Sequence, residues 1–403
     1  MQIDYITMYD LPDRARWPRT QWGMCQAAAA IASGLSNLGC GANFIGGLTS
    51  PTYVKPLTRL KWSWYRSVMQ QDYYSWAEPV IIRSYGRQVS RRLGLSSGEI
   101  ALCVENALPI ATVQSAQASP FNLRRSSTIK PIVLWTDAPL VALIGLYPYM
   151  SHLCRETRRN IYRWETMAFE RCALIVFSSD WAAETARQHY PRSAHKMIVI
   201  PWGANLEVTP DHATVHRAIA HRSRTTLELV FLGQEWERKG GALTLEIVAA
   251  LRDRHLPVRL SIIGSTPTIP TALVPYVQQF GYLDKHNPAD RDRLYQTLLQ
   301  SHYLLLPTRA ETYGMVFCEA AAFGLPAIAT RVGGISTIIR DGVSGYTFDL
   351  EATADEYATA IATLWHDDDR YSALAHQARH AFETRLNWAI ACKQLHDQLV
   401  KFL

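Results

Sequence analysis

The sequence predicts an α/β chain of two Rossmann-like, doubly wound domains facing a cleft. Three observations carry that expectation. Short β-branched or apolar runs alternate with helical stretches along the 403 residues. The alternation restarts after a polar stretch at 203–226. The composition is 48% hydrophobic, enough to bury a substantial core in each of two domains.

The first series opens with IDYITMY (3–9), followed by a helix around 24–38 and then ANFIGGL. A helix around 78–93 and the run IALCVEN (100–106) continue it. PIVLWTD (131–137), a helix around 153–170, ALIVFSS (173–179), a helix around 181–189 and KMIVIPW (196–202) complete it. Near-continuous apolar runs separated by helices predict a parallel sheet covered on both faces.

The stretch 203–226 is polar and lacks a buried periodicity, so it is expected to cross between domains. LELVFLG (227–233), a helix around 241–254, VRLSIIG (258–264), a helix around 288–300, YLLLPT (303–308), a helix around 314–323 and PAIAT (326–330) then repeat the logic. The expected domains are 1–205 and 206–382, each Rossmann-like. A C-terminal helix at 383–403, with an apolar stripe at Trp388, Ala391, Leu395 and Leu399, is expected to pack back toward the N-terminal domain.

Composition excludes several classes. The 7 cysteines are odd in number and scattered, with no C-x-x-C pair, which fits reduced thiols in a cytoplasmic protein and neither a disulfide framework nor a metal site. The start, MQIDYITMYD, lacks the pattern of an export signal, and no run of about eighteen apolar residues is present. A net charge of +6 suits anionic partners such as phosphates or acidic lipids, while no nucleic-acid module accompanies it.

The chemistry concentrates in RAETYGMVFCEAAAFGLP. The helix from Gly314 to Phe323 is apolar on every face yet holds Glu319, and a buried carboxylate needs a ligand or a fixed partner. Glu311 lies eight positions earlier, in a loop at the carboxyl end of a strand, where α/β sheets place their ligands. Between them Thr312, Tyr313, Gly314 and Met315 open the helix, whose amides and dipole offer a phosphate site. A second basic element, FLGQEWERKGG, follows the first strand of this half, with Arg238 and Lys239 at its turn. It reads either as a solvated turn or, given Gly233, Gly240 and Gly241, as a phosphate clamp.

These motifs resemble the retaining GT-B glycosyltransferases of family 4 (group 1), strongly over about 227–349 and weakly before 165. The family's E-x7-E motif stands here as Glu311 to Glu319, and its K-G turn as Lys239-Gly240. The resemblance implies that Glu311 holds the donor sugar's hydroxyls, that Glu319 holds the ribose, and that Lys239 neutralises the diphosphate. Gln234 stands after Gly233 where the family usually has arginine, and Arg238 is the candidate to supply that charge. The family's His-Asp pair is replaced by Thr136 and Asp137; Asp137 reads equally as a ligand of sugar hydroxyls or as a helix cap. Gly23, in the loop after the first strand, falls where the family places glycines near the diphosphate, and Arg14, Arg16 and Arg19 of that loop suit an anionic acceptor or solvent.

The implied function is hexosyl transfer from a nucleotide-diphosphate sugar, UDP-glucose type favoured and GDP-mannose next, to a hydroxyl of a sugar, glycolipid or small-molecule acceptor. No cofactor and no metal are expected, since fixed cations and a helix dipole can stabilise the departing diphosphate. The alternatives are a nucleotide-sugar epimerase of the same fold and an inactive carbohydrate-binding relative. The segment 53–76 mixes Lys55, Arg59, Lys61 and Arg66 with Trp62, Trp64, Tyr65, Tyr73, Tyr74 and Trp76, which suits peripheral contact with the inner face of a membrane, a carbohydrate groove, or aromatics covering the core.

Overall fold

The computed structural model describes residues 1–114 and 130–403, apart from the side chain of Arg19. The chain divides into two compact units: Met1–Pro201 with Ala391–Leu403, and Trp202–Ile390.

In unit 1, β1 (Gln2–Ile6), α1 (Trp22–Asn37) and β2 (Gly41–Ile45) lead to α2 (Lys55–Ser67), α3 (Pro79–Leu95) and β3 (Ile100–Glu105). β4 (Ile132–Thr136), α4 (Leu140–Leu143), α5 (Arg155–Arg171), β5 (Leu174–Phe177), α6 (Asp180–His189) and β6 (Met197–Val199) follow. All strand pairs are parallel, in the order β2-β1-β3-β4-β5-β6. Every residue of β3, β4 and β5 is buried, as expected of strands covered on both faces. Fully burying a side chain such as Ile175 or Phe177 contributes roughly 1.5–3 kcal/mol each, and such residues fill this core.

Unit 2 begins with α7 (His212–His221), β7 (Leu227–Leu232), α8 (Gly241–Asp253), β8 (Val258–Ile263) and β9 (Val277–Gly281). It continues with α9 (Pro288–Gln300), β10 (Tyr303–Leu306), α10 (Met315–Ala322), β11 (Ala327–Thr330), α11 (Ile335–Ile338) and β12 (Gly345–Phe348). α12 (Ala354–Trp365), α13 (Asp368–Thr384) and α14 (Trp388–Leu399) close the chain. The sheet order is β12-β11-β10-β7-β8-β9, again all parallel. Strand order therefore reverses between β7 and β10, and that reversal is where an open α/β sheet leaves a crevice at its carboxyl edge.

Two expectations are corrected. The stretch 203–226, read as lacking a buried periodicity, has one: it forms α7, capped by Asp211 through the Thr214 amide at 2.7 Å and anchored by buried Val215 and Ile219. Two apolar residues are too few to betray a period, and much of the docking is polar. The buried Arg222 guanidinium donates to Gly324 O at 2.8 Å, Phe323 O at 2.9 Å and the Tyr371 hydroxyl at 2.7 Å. Gly23 lies not in a loop but in the first turn of α1.

Edge strands β9 and β12 were not read from the sequence: VQQFG exposes both glutamines, and GYTF is four residues long. In α14 the buried positions are Ala391, Cys392, Leu395 and Leu399. The aromatics of 53–76 divide. Tyr73 is buried with Tyr65 stacked on it, whereas Tyr53, Trp62 and Trp64 are 73%, 48% and 58% exposed.

Candidate functional site

The unit 2 crevice is built from glycine turns. β7 ends at Leu232, and the turn from Gly233 brings Lys239 back against it, so that a Cβ on Gly233 would crowd the Lys239 Cγ at 3.0 Å. Gly240 has φ +76°, and a Cβ there would collide with Pro307 O in the loop after β10. That close approach is fixed by hydrogen bonds from the Arg309 amide at 2.8 Å and the Thr308 hydroxyl at 3.1 Å to Arg238 O. The two loops at the strand-order reversal thus form one rigid piece.

Glu311 sits at that junction. Its carboxylate pairs with the Lys239 ammonium, and both residues are buried, at 8% and 9% exposure. Arg238 stands 3.5 Å from the same oxygen while bonding Glu235 at 2.6 and 2.9 Å and Ala310 O at 2.8 Å. Those bonds hold the Glu235 carboxyl below the usual carboxylate range. From the other side Gly333, at φ +54°, packs so closely that a Cβ would collide with Glu311 O, and the Gly334 amide donates to Thr312 O at 3.0 Å. Gly333 was not singled out from the sequence; its signal was the G-G pair after PAIATRV.

Gly314, at φ +93°, is the N-cap of α10 and gives the helix no side-chain cap; the Phe317 amide donates to Gly314 O at 2.9 Å, leaving the amides of Met315 and Val316 to face outward from the helix start. A Cβ there would stand 2.7 Å from Phe317 Cδ2 and 3.2 Å from Glu311 Cγ. One turn further, Glu319 is 6% exposed and pairs with the Lys285 ammonium at 2.6 Å, which also donates to Asn205 O at 3.2 Å. Lys285 is the residue that sequence reasoning missed: it follows β9, the edge strand that carries no apolar signature.

The other expected residues separate. Tyr313 is buried and its hydroxyl donates to Trp202 O at 2.7 Å, so its side chain serves the fold. Met315 accepts a contact from the Asn205 amide at 3.3 Å, Thr312 is buried, and Gln234 is exposed.

In unit 1, Asp137 accepts the Ala138 amide at 2.8 Å but does not cap α4, whose N-cap is Pro139. Glu165 takes the first amides of α4 instead, from Leu140 at 2.6 Å and Val141 at 3.0 Å, which removes the capping alternative for Asp137. Arg16 pairs with Asp10 and Asp13 at 3.1 and 2.9 Å, Arg14 lies over Trp17, and the side chain of Arg19 is outside the described residues.

Unit 2 thus holds two buried carboxylates eight residues apart, each matched by a lysine, beside an uncapped helix start. Such a site can exchange its internal ion pairs for an anionic ligand's phosphates while offering the released carboxylates to hydroxyl groups. Among the described residues no helix is long and apolar enough to cross a membrane.

Comparison with known proteins adds to this. Residues 226–367 match the family model "Glycosyl transferases group 1". The chain is 30% identical over 238 residues to a D-inositol 3-phosphate glycosyltransferase of Xylanimonas cellulosilytica, covering 55% of each chain. It spans about half the length of several curated relatives it matches.

Among solved structures, sucrose-phosphate synthase from Thermosynechococcus elongatus aligns with TM-score 0.64 at 17% identity over 99% of both chains. Anabaena HepE in complex with UDP aligns with TM-score 0.60 at 13% identity over 100% of both. At such identities the likeness speaks for fold, and it is the GT-B type of two parallel α/β sheets. The resemblance to the group 1 glycosyl transferases therefore stands, carried by residues 226–367 with Lys239, Glu311 and Glu319 among them.

Proposed function

We propose that this protein is a retaining hexosyltransferase that uses a nucleotide-diphosphate sugar, with the unit 2 crevice as its donor site. The carrying observation is the pair Glu311 and Glu319, both buried at the carboxyl edge beside the β7–β10 reversal and each held by a lysine. Donor arrival exchanges partners: the diphosphate takes Lys239, with Arg238 beside it, and frees Glu311 to accept hydroxyls of the sugar. Glu319, on the helix behind, accepts the ribose hydroxyls and keeps Lys285 as its counter-ion.

In the transfer step the bond from the anomeric carbon to the β-phosphate oxygen breaks and a bond to the acceptor oxygen forms on the same face. The acceptor's proton passes to the departing phosphate. Charge growing on that phosphate meets Lys239, Arg238 and the first-turn amides of α10, so no further cation is needed. A UDP sugar fits the reading best, since HepE, of like fold, was solved with UDP. The curated relatives point to a phosphorylated polyol as one acceptor class.

A membrane-borne acceptor has its own support. The helix α2 and its flanks expose Tyr53, Leu57, Leu60, Trp62, Trp64, Val68 and Met69 beside Lys55, Arg59 and Arg66. Exposed aromatics with basic neighbours suit an anionic bilayer surface. Sedimentation with vesicles of phosphatidylglycerol and phosphatidylcholine tests this, and equal recovery with phosphatidylcholine alone rejects it.

The donor reading is tested by thermal shift with UDP, GDP and ADP. A shift with one nucleotide, absent in Lys239→Ala, is expected; silence with all three overturns it.

A further inference from the structure

The carboxyl edge of the unit 1 sheet holds a glutamate that the donor site does not use. Glu105 ends β3, which lies between β1 and β4. Strand order in this sheet reverses between β1 and β3, so Glu105 stands at the position where such sheets take ligands.

Its backbone is in the left-handed region at φ +82°, which side-chain-bearing residues rarely adopt. Among the described residues Gln70 and His255 also have positive φ, but both are exposed. Glu105 is 7% exposed, and no donor among the described residues reaches either carboxylate oxygen in good hydrogen-bond geometry; the Met8 amide lies near enough only to favour the charge.

The same unit shows how a structural buried glutamate is treated. Glu165 accepts two backbone amides and the Tyr190 hydroxyl at 2.7 Å, and Glu78 meets Lys61 at 2.9 Å and the Tyr73 hydroxyl at 2.7 Å. Burial pushes the Glu105 carboxyl up to about 7, and among the described residues only the Met8 amide works against that. Tyr5, Tyr9, Cys25 and Cys103 lie near enough to feel its charge; burial first and Glu105 second push Tyr9 and Cys25 up to about 12, so all four stay uncharged at neutral pH. Both carboxylate oxygens are covered, but the neighbouring Met8 and Tyr9 are only part-buried, so it is their side chains that a ligand would have to move to reach Glu105.

A strained backbone and unmatched buried acceptors persist where the fold reserves them for a ligand. Neutral O–H donors suit this group better than a cation, which would itself have to be desolvated.

We propose that the crevice at the β1–β3 reversal is a second ligand site, in which Glu105 binds vicinal hydroxyls of a sugar or cyclitol ring. That this polyol is the glycosyl acceptor rests on the transferase reading; the binding itself does not.

The test is thermal shift of the full chain with myo-inositol, with glucose and, separately, with UDP, for wild type, Glu105→Gln and Glu105→Gly. Glycine takes the same φ without strain, so it keeps the test open where glutamine fails to fold. A saturable shift with myo-inositol or glucose is expected in wild type and is weakened at least about tenfold in the variants, while the UDP shift is unchanged. No polyol shift in wild type, or one that persists in the variants, overturns the assignment. A polyol shift that depends on Glu105 without any UDP shift sinks the donor reading and leaves Glu105 in place.

Discussion

The two sheets treat the carboxylates at their carboxyl edges in opposite ways. In unit 2 Glu311 and Glu319 are each matched by a lysine, Lys239 and Lys285, and the backbone around them is relaxed into glycine turns. In unit 1 Glu105 is buried with no cation and no well-formed hydrogen bond among the described residues, and carries positive φ on a residue that is not glycine. The contrast follows from what each edge would receive. A site for a diphosphate needs cations in place beforehand, and those cations need carboxylates to hold them while the site is empty. A site for a neutral polyol needs only acceptors, and these stay unmatched until the ligand comes.

The largest expected effect breaks the matched side. Lys239→Ala removes the partner of Glu311 and the cation proposed to face the β-phosphate. Turnover with the preferred nucleotide sugar should fall by about a hundredfold or more, measured as nucleotide release. Glu311→Gln, which keeps shape and loses charge, should fall nearly as far; activity within about twofold of wild type in both would dissolve the proposed site.

Next comes the second pair. Lys285→Ala leaves Glu319 buried with its charge uncompensated, which costs about 1–3 kcal/mol in denaturant unfolding. The double change Lys285→Met with Glu319→Gln should recover most of that stability but not nucleotide binding. A double variant no more stable than Lys285→Ala would mean that removing the Glu319 charge relieves nothing and that the pair is not what holds this side together.

How much of this was legible in the sequence follows the same division. The fold class was readable because the strands are buried on both faces and so appear as unbroken apolar runs, for example IALCVE and YLLL. Glu319 was readable because it interrupts a helix that is otherwise apolar all round. Lys285 was not, since its strand, β9, is an edge with exposed glutamines; α7 was not, since a buried arginine does the work of an apolar stripe. Glu105 had no signature at all: backbone strain and a missing partner are properties of the folded chain, and ALCVEN reads as any strand end.

The unmatched side makes a pH prediction. Burial raises Glu105 from 4.5 to about 7, so between those values the native state keeps a proton that the unfolded chain has lost. Native stability from this group is therefore greatest below about pH 4.5 and declines as pH rises toward 7, by at most about 3 kcal/mol. Tyr5, Tyr9, Cys25 and Cys103 all titrate above this window and add no slope. Glu165, also raised to about 7, contributes in the same direction. Glu105→Gln should remove only its own share, flattening the wild-type curve of stability against pH; identical slopes in both proteins would show that the carboxyl finds a partner.

The smallest effect sharpens the matched side. Gln234 is exposed directly after Gly233, whose missing side chain makes room for the Lys239 stem, and it stands where the resemblance to the group 1 glycosyl transferases leads one to expect arginine. Gln234→Arg adds a cation at a turn already braced by Arg238 and Glu235, so it brings charge without rebuilding the loop. Because the new guanidinium is solvent-facing, its gain is limited to about 0.5–1 kcal/mol, or two- to fivefold in nucleotide affinity, and should shrink as salt is raised. A gain insensitive to salt would mean that the arginine bonds the phosphate directly, while a loss of affinity would mean that Arg238 already fills the position and the added cation repels it.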